Sequence, residues 1–133
     1  MNRTKARENA FVLLFEAECR KDETPLEIYE YALEFPDFEL NDYVKQVFFG
    51  VFERRKEIDE LIDKNIIGWS KSRISLVSKA LLALSIYEML AMEDVPVKVS
   101  INEAVELSKK YDDEKSYSFV NGVLNAVSKE LAV

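Results

Sequence analysis

Apolar residues recur every three or four positions along most of this chain, and that spacing predicts a succession of helices. Ala6, Ala10, Leu13, Leu14 and Ala17 share one face of a first helix running from about Thr4 to Arg20. Thr24-Pro25-Leu26-Glu27 is a start signal, with a cap, a proline at the first helical position and a glutamate that closes the box. The helix it opens should end near Glu34, ahead of Pro36. A long third helix is expected from about Asn41 toward Ile67, striped by Val44, Val47, Phe48, Val51, Ile58, Leu61, Ile62 and Ile66. Its charged turn, Glu53 to Glu60, reads as exposed, and Gly50 inside it reads as a close contact with another helix.

Gly68-Trp69-Ser70 punctuates the middle and separates an N-terminal bundle of about residues 1–68 from a C-terminal bundle of about 69–133, within a single domain. Trp69 reads as a packing anchor between the halves. From Ser75 to Met92 the sequence is apolar nearly all round, which predicts a buried central strut. Pro96 blocks helix before it, and Ser100 with Glu103 forms a capping box opening the run Ile101 to Tyr111. Asp112-Asp113-Glu114 breaks the pattern. Ser116 then caps a last helix carrying Phe119, Val120, Val123, Leu124 and Val127. Gly122 inside that helix costs about 1 kcal/mol against alanine, so it asks for a reason such as the close approach of a neighbouring helix.

Composition sets the class. Three glycines and three prolines in 133 residues are too few for a turn-dense sandwich or barrel, so the expected fold is all-α. Cys19 is alone and histidine is absent, which removes a disulfide framework, the commonest general base and the commonest zinc ligand. The chain carries no Gly-rich phosphate loop, nucleophile elbow or metalloprotease motif. No enzyme, metal or cofactor is expected. No apolar run is long enough to span a bilayer and the start lacks the apolar segment of a signal peptide, so a cytoplasmic protein away from membranes is expected.

The net charge of −7 argues at first against a nucleic-acid partner. Its distribution changes that picture. Residues 21–63 hold five basic and thirteen acidic side chains, residues 64–133 hold nine of each, and residues 1–7 hold three basic and no acidic ones. Arg3, Lys5 and Arg7 oppose the dipole of the helix they open, and a chain that breaks a local rule invites a functional reason. They would suit phosphate; a frayed solubilising start is the alternative. Lys109, Lys110 and Lys115 are interleaved with Tyr111, Tyr117 and Phe119, a pattern that suits single-stranded RNA. By apolar spacing alone, Phe119 is core and the tyrosines are edge residues.

The stretches RTKARENAFVLLFEAE, LVSKALLALSIYEML, DVPVKVSINEAVEL and SFVNGVLN resemble, in order, those of the NusB family of bacterial transcription antitermination factors. The resemblance spans nearly the whole chain, and its C-terminal motifs are the specific ones. It implies two small helical bundles, about seven helices in all. It also implies binding of boxA-type sequences in nascent ribosomal RNA leaders, together with NusE, a small-subunit ribosomal protein, within an RNA polymerase antitermination complex that reads through terminators. Carried over by position, Arg3, Lys5 and Arg7 match the family's RNA-contacting start, Lys79 matches a basic position on the central helix, and Phe119 matches the ring beside the RNA surface. With Lys115 from the basic–aromatic cluster, these are the candidate RNA-binding residues. Ala83 stands where many relatives have arginine, Phe15 where tyrosine is frequent, and Val12 where glutamine is frequent. The alternatives are a module that binds a basic ribosomal protein without touching RNA, and the NusB-like domain of a ribosomal RNA cytosine methyltransferase. Whether the free chain forms a homodimer is left open.

Overall fold

Seven helices make up the regular structure of the computed structural model, which describes residues 1–66, 68–69 and 74–133. They are α1 (Arg3–Cys19), α2 (Pro25–Ala32), α3 (Asp42–Glu53), α4 (Arg55–Asn65), α5 (Leu76–Ala91), α6 (Val97–Tyr111) and α7 (Ser116–Leu131), with no strand among the described residues. The all-helical expectation holds. Asn2, Thr24, Asn41 and Ser75 cap α1, α2, α3 and α5 by accepting a backbone N–H one turn on, and Thr24 with Glu27 forms the full reciprocal box.

α5 is the strut that its composition predicts. Ten consecutive-to-neighbouring positions from Ser78 to Glu88 are buried, and α5 touches α1, α3, α4, α6 and α7. α6 and α7 pack on each other as well as on α5, while α2 lies against α1. Gly50 of α3 faces the strut: an added Cβ would lie 2.4 Å from Tyr87 ring atoms, so any side chain there would force the ring to move.

Four local expectations are corrected. The long third helix is two helices. At Arg54 the backbone leaves helical values (φ −110°, ψ 22°), and the chain turns so that α4 packs on α5 and α7 as well as on α3. The apolar stripe keeps its phase across this break, which is why periodicity missed it. α6 begins at Val97, so Ser100 lies one turn inside the helix and caps nothing. Its hydroxyl is spent on buried partners described below. The N-cap position of α7 is Lys115, which makes no side-chain cap bond; Ser116 is the first helical residue, and Asp113 ahead of it accepts from the N–H groups of Lys115 and Ser116 and from the Ser116 hydroxyl at 2.9–3.0 Å. Gly122 is not wedged under a described helix: among the described residues, an added Cβ would meet only Trp69 Cζ2 within 4 Å, at 3.8 Å. The proposed end of the third helix at Ile67, and Ser70 of the central punctuation, lie outside the described residues.

Candidate nucleic-acid interface

The three N-terminal cations go separate ways. Arg3 is exposed, with its guanidinium 4.4 Å from the centroid of the Tyr43 ring. Lys5 is 60% exposed and lies 3.3 Å from Glu8. Arg7 points inward, because the 3.6-residue period puts it on the face of α1 that meets α5, from which its side chain also reaches Glu103 of α6. It is 2% exposed. Its Nε and Nη2 donate to Glu88 at 2.9–3.2 Å and its Nη1 donates to Glu103 at 3.0 Å. The Tyr43 hydroxyl and the Ser100 hydroxyl complete the shell around Glu88 at 2.8 and 2.7 Å, and Ser85 lies 2.7 Å from Ser100. Thr4 donates to Glu103 at 2.6 Å.

Arg7 is therefore corrected from a phosphate contact to an internal one, since its guanidinium faces two carboxylates and is sealed from solvent. Burial is the largest single influence and would lower its pKa, but the hydrogen bond and charge of Glu88 together with Tyr43 and Glu103 outweigh it and raise the pKa, so the guanidinium stays charged. Burial and the neighbouring Glu88 carboxylate push the Tyr43 phenol upward, so it stays protonated and donating. The cationic start that broke a local rule is thus partly compensated from within the fold. The missed signal is Glu88, a lone carboxylate in an otherwise apolar helix, which can be buried only if a cation reaches it.

The lysine–aromatic cluster is on the surface. Lys109 lies 5.0 Å from the Tyr117 ring centroid, and both residues are exposed. Lys110 and the Tyr111 hydroxyl both donate to Glu8, the latter at 2.6 Å. These bonds, Lys110 first, draw the Glu8 carboxyl down to about 2. Glu8 also touches Lys5, so one carboxylate links the exposed start of α1 to the end of α6 through an ion pair with a lysine of each. Lys115 is exposed at the head of α7.

Phe119 is buried, and its ring meets Trp69 edge-to-face at 5.0 Å and 76°. Trp69 itself is 46% exposed, so it is a poor anchor for a core. Lys79 is half-buried in a different place, a cleft lined by Glu18, Lys21, Arg55, Asp59 and Asp63 between the end of α1, α4 and α5. Of the six candidates, Arg3 and Lys5 share the start of α1 and Lys115 and Phe119 share the start of α7. Lys79 joins neither pair by any contact, and Arg7 is inside.

A seven-helix bundle with an internal arginine–carboxylate cluster and exposed lysines beside surface tyrosine rings is the class of protein these features define. A profile described as the NusB family matches residues 4–129, and the chain belongs to that family. It is 44% identical to the transcription antitermination protein NusB of Clostridium perfringens, with 98% of this chain and 99% of that protein covered. The solved structure of T. maritima NusB superposes with a TM-score of 0.84 at 36% identity, covering 98% of this chain and 92% of that one. A chain from a crystal structure of antitermination factors NusB and NusE in complex with dsRNA gives a TM-score of 0.83 at 31% identity, with 96% of each covered. No helix among the described residues is long and apolar enough to cross a membrane.

Proposed function

We propose that this chain is an RNA-binding transcription antitermination factor. In this reading it binds boxA-type sequences of nascent ribosomal RNA together with NusE, in the cytoplasm, and promotes read-through by RNA polymerase; it catalyses no reaction. The observation that carries the reading is that Arg3 and Lys5 at the start of α1, Lys109 and Lys110 at the end of α6 and Lys115 at the head of α7 are all exposed, as are Tyr111 and Tyr117 beside them in sequence, in a chain of net charge −7. Binding depends on local potential, which the overall charge conceals. The likeness to NusB proteins, one of them solved with NusE and RNA, supports the same reading.

The mechanism is assembly. Phosphates are met by Arg3, Lys5 and Lys115, rings near the head of α7 meet bases, and a neighbouring face meets NusE. Arg7 takes no direct part. The test mixes the chain with purified NusE and a boxA oligonucleotide and follows the ternary complex through gel filtration. A salt titration then resolves the contacts: alanine at Arg3, Lys5 and Lys115 together shrinks the log–log salt slope by roughly 0.7 per phosphate contact. Alanine at Lys79, in its separate cleft, leaves the slope unchanged.

A second reading keeps one specific observation in its favour. Tyr31, Leu33 and Phe35 are exposed within the acidic segment 21–63, a surface suited to a basic protein. An unchanged salt slope alongside intact NusE binding would favour this protein-only role.

A further inference from the structure

We propose that the groove between α1 and the α2–α3 turn docks a cationic segment of a further protein, distinct from NusE, which inserts one bulky apolar side chain between Tyr31, Phe35 and Phe38. This contact adds to RNA binding rather than replacing it. Buried Leu13 and Ala32 line the groove beneath those three rings. Its volume, about 370 Å³, is that of a small-ligand cleft, enough for a side chain with its flanking backbone.

Tyr31 and Phe35 are about half exposed, 47% and 50%, and their rings meet edge-on at 5.3 Å and 69°. The core does not ask for them, since α2 buries only Ile28 and Ala32. Exposed apolar surface rimmed by charge marks a contact site. The rim is also held in place. The Phe35 N–H donates to the Ala32 carbonyl at 3.1 Å and the Phe38 N–H donates to the Phe35 carbonyl at 3.0 Å. Pro36 between them has its backbone torsion fixed by its ring, and Asn9 Nδ2 ties the Glu39 carbonyl to α1 at 2.9 Å. A preformed site loses little entropy when it is filled.

Charge selects the occupant. Between Lys21 and Lys45 the chain carries eight carboxylates and no cation. Glu34 and Asp37 flank Phe35, both exposed and neither paired with a cation among the described residues. Arg20, 5.4 Å from the Tyr31 ring centroid, is already engaged by Glu16 at 3.6 Å and Glu23 at 3.5 Å. Such a rim repels phosphate and attracts lysine or arginine placed beside an apolar anchor.

α1 separates this groove from the lysines and tyrosines at the end of α6. On its other flank Phe11 packs on Tyr111 at 5.1 Å and Glu8 meets Lys110. In the reading above NusE adjoins the RNA surface, which leaves the groove open in the ternary complex. The choice of a partner other than NusE rests on that reading; the chemistry of the groove does not.

The test follows backbone amide shifts of the full chain, alone and with purified NusE and a boxA oligonucleotide. The probe is the capped peptide Lys-Lys-Leu-Phe-Lys-Lys, and two controls replace its Leu-Phe pair by Gly-Ser or its lysines by glutamates. The expected result is saturable shifts centred on residues 12–16 and 31–38 for the probe only, unchanged by NusE and RNA and weaker as salt rises. Tyr31→Ser and Phe35→Ser each weaken the probe about tenfold at unchanged urea midpoints, and leave NusE and RNA affinities as in the parent. Glu34→Gln with Asp37→Asn weakens it several-fold and flattens its salt dependence.

No saturable shift, or equal shifts from the Gly-Ser control, would overturn the docking site. Binding of the acidic control would overturn the cationic occupant. Displacement of the peptide by NusE would give the groove to NusE and overturn the separate partner. Concentration-dependent shifts at the same residues without peptide would assign the groove to a second copy of this chain instead. A ternary complex that fails to form while the peptide still binds would remove the RNA-binding reading and leave the docking site in place.

Discussion

Arg7 sits where a positive charge is costly, and Glu88 makes the position tenable. Two unit charges taken out of water lose several kcal/mol each, and their attraction offsets this only when the remaining lone pairs are also satisfied. Here Tyr43 and Ser100 satisfy them. Arg7→Met should destabilise the fold by about 3–5 kcal/mol, because Glu88 is left buried without its cation. Adding Glu88→Leu should restore part of that loss but not all, since the Tyr43 and Ser100 hydroxyls then lose their acceptor. Urea midpoints of Arg7→Met, Glu88→Leu and the double variant measure the coupling, and additive losses would show that the pair does not act as a unit. Glu8 makes a second residue-scale prediction. Its carboxyl is held at about 2, against 4.5 when free, by Lys110 and then Tyr111. A depressed carboxylate contributes stability that is complete above pH 4.5 and lost as the pH falls toward 2. Glu8→Gln should therefore flatten the acid limb of stability in that window, as read from urea midpoints across it.

At the scale of elements, Gly50 sets how near α3 can come to α5. Alanine would gain about 1 kcal/mol of helix propensity. It would also force a methyl group to within 2.4 Å of the ring of Tyr87, a side chain that is buried. Overpacking of this kind costs about 1–3 kcal/mol and wins. Thermal unfolding of Gly50→Ala should give a lower Tm, and Tyr87→Leu in the same chain should recover some of it. The same elements show what could be read from sequence. Gly50 was legible because a mid-helix glycine needs a reason and the stripe of α3 gave its direction. The break at Arg54 was not, since the apolar phase continues through it and only the competing pull of α5 and α7 turns the chain. Ser100 and Glu103 have capping-box spacing, but spacing cannot tell a helix end from a buried acceptor one turn further on. The candidate site failed in the same way. The sequence drew attention to the cations at the start of α1, while the direction in which Arg7 points depended on Glu88, 81 residues away. Trp69 was misread because exposure is set by what packs around a turn, which periodicity does not describe.

For the whole molecule, the question is whether residues 1–68 and 69–133 behave as two units or one. α5 belongs by sequence to the second half, yet it packs on α1, α3 and α4 of the first. The Arg7–Glu88 cluster draws groups from α1, α3, α5 and α6 into one set of buried bonds, so neither half can keep its partners if the other unfolds. A chain of this size with such shared burial should unfold in a single cooperative transition. Trp69 emission, which reports the junction, and far-UV circular dichroism, which reports all seven helices, should trace one curve in urea. Two separated transitions would mean that the halves are independent bundles merely in contact. Arg7→Met sharpens the test: if the cluster couples the halves, both probes should shift to lower urea together, whereas loss confined to the α1 region would move the dichroism signal and leave the Trp69 midpoint in place.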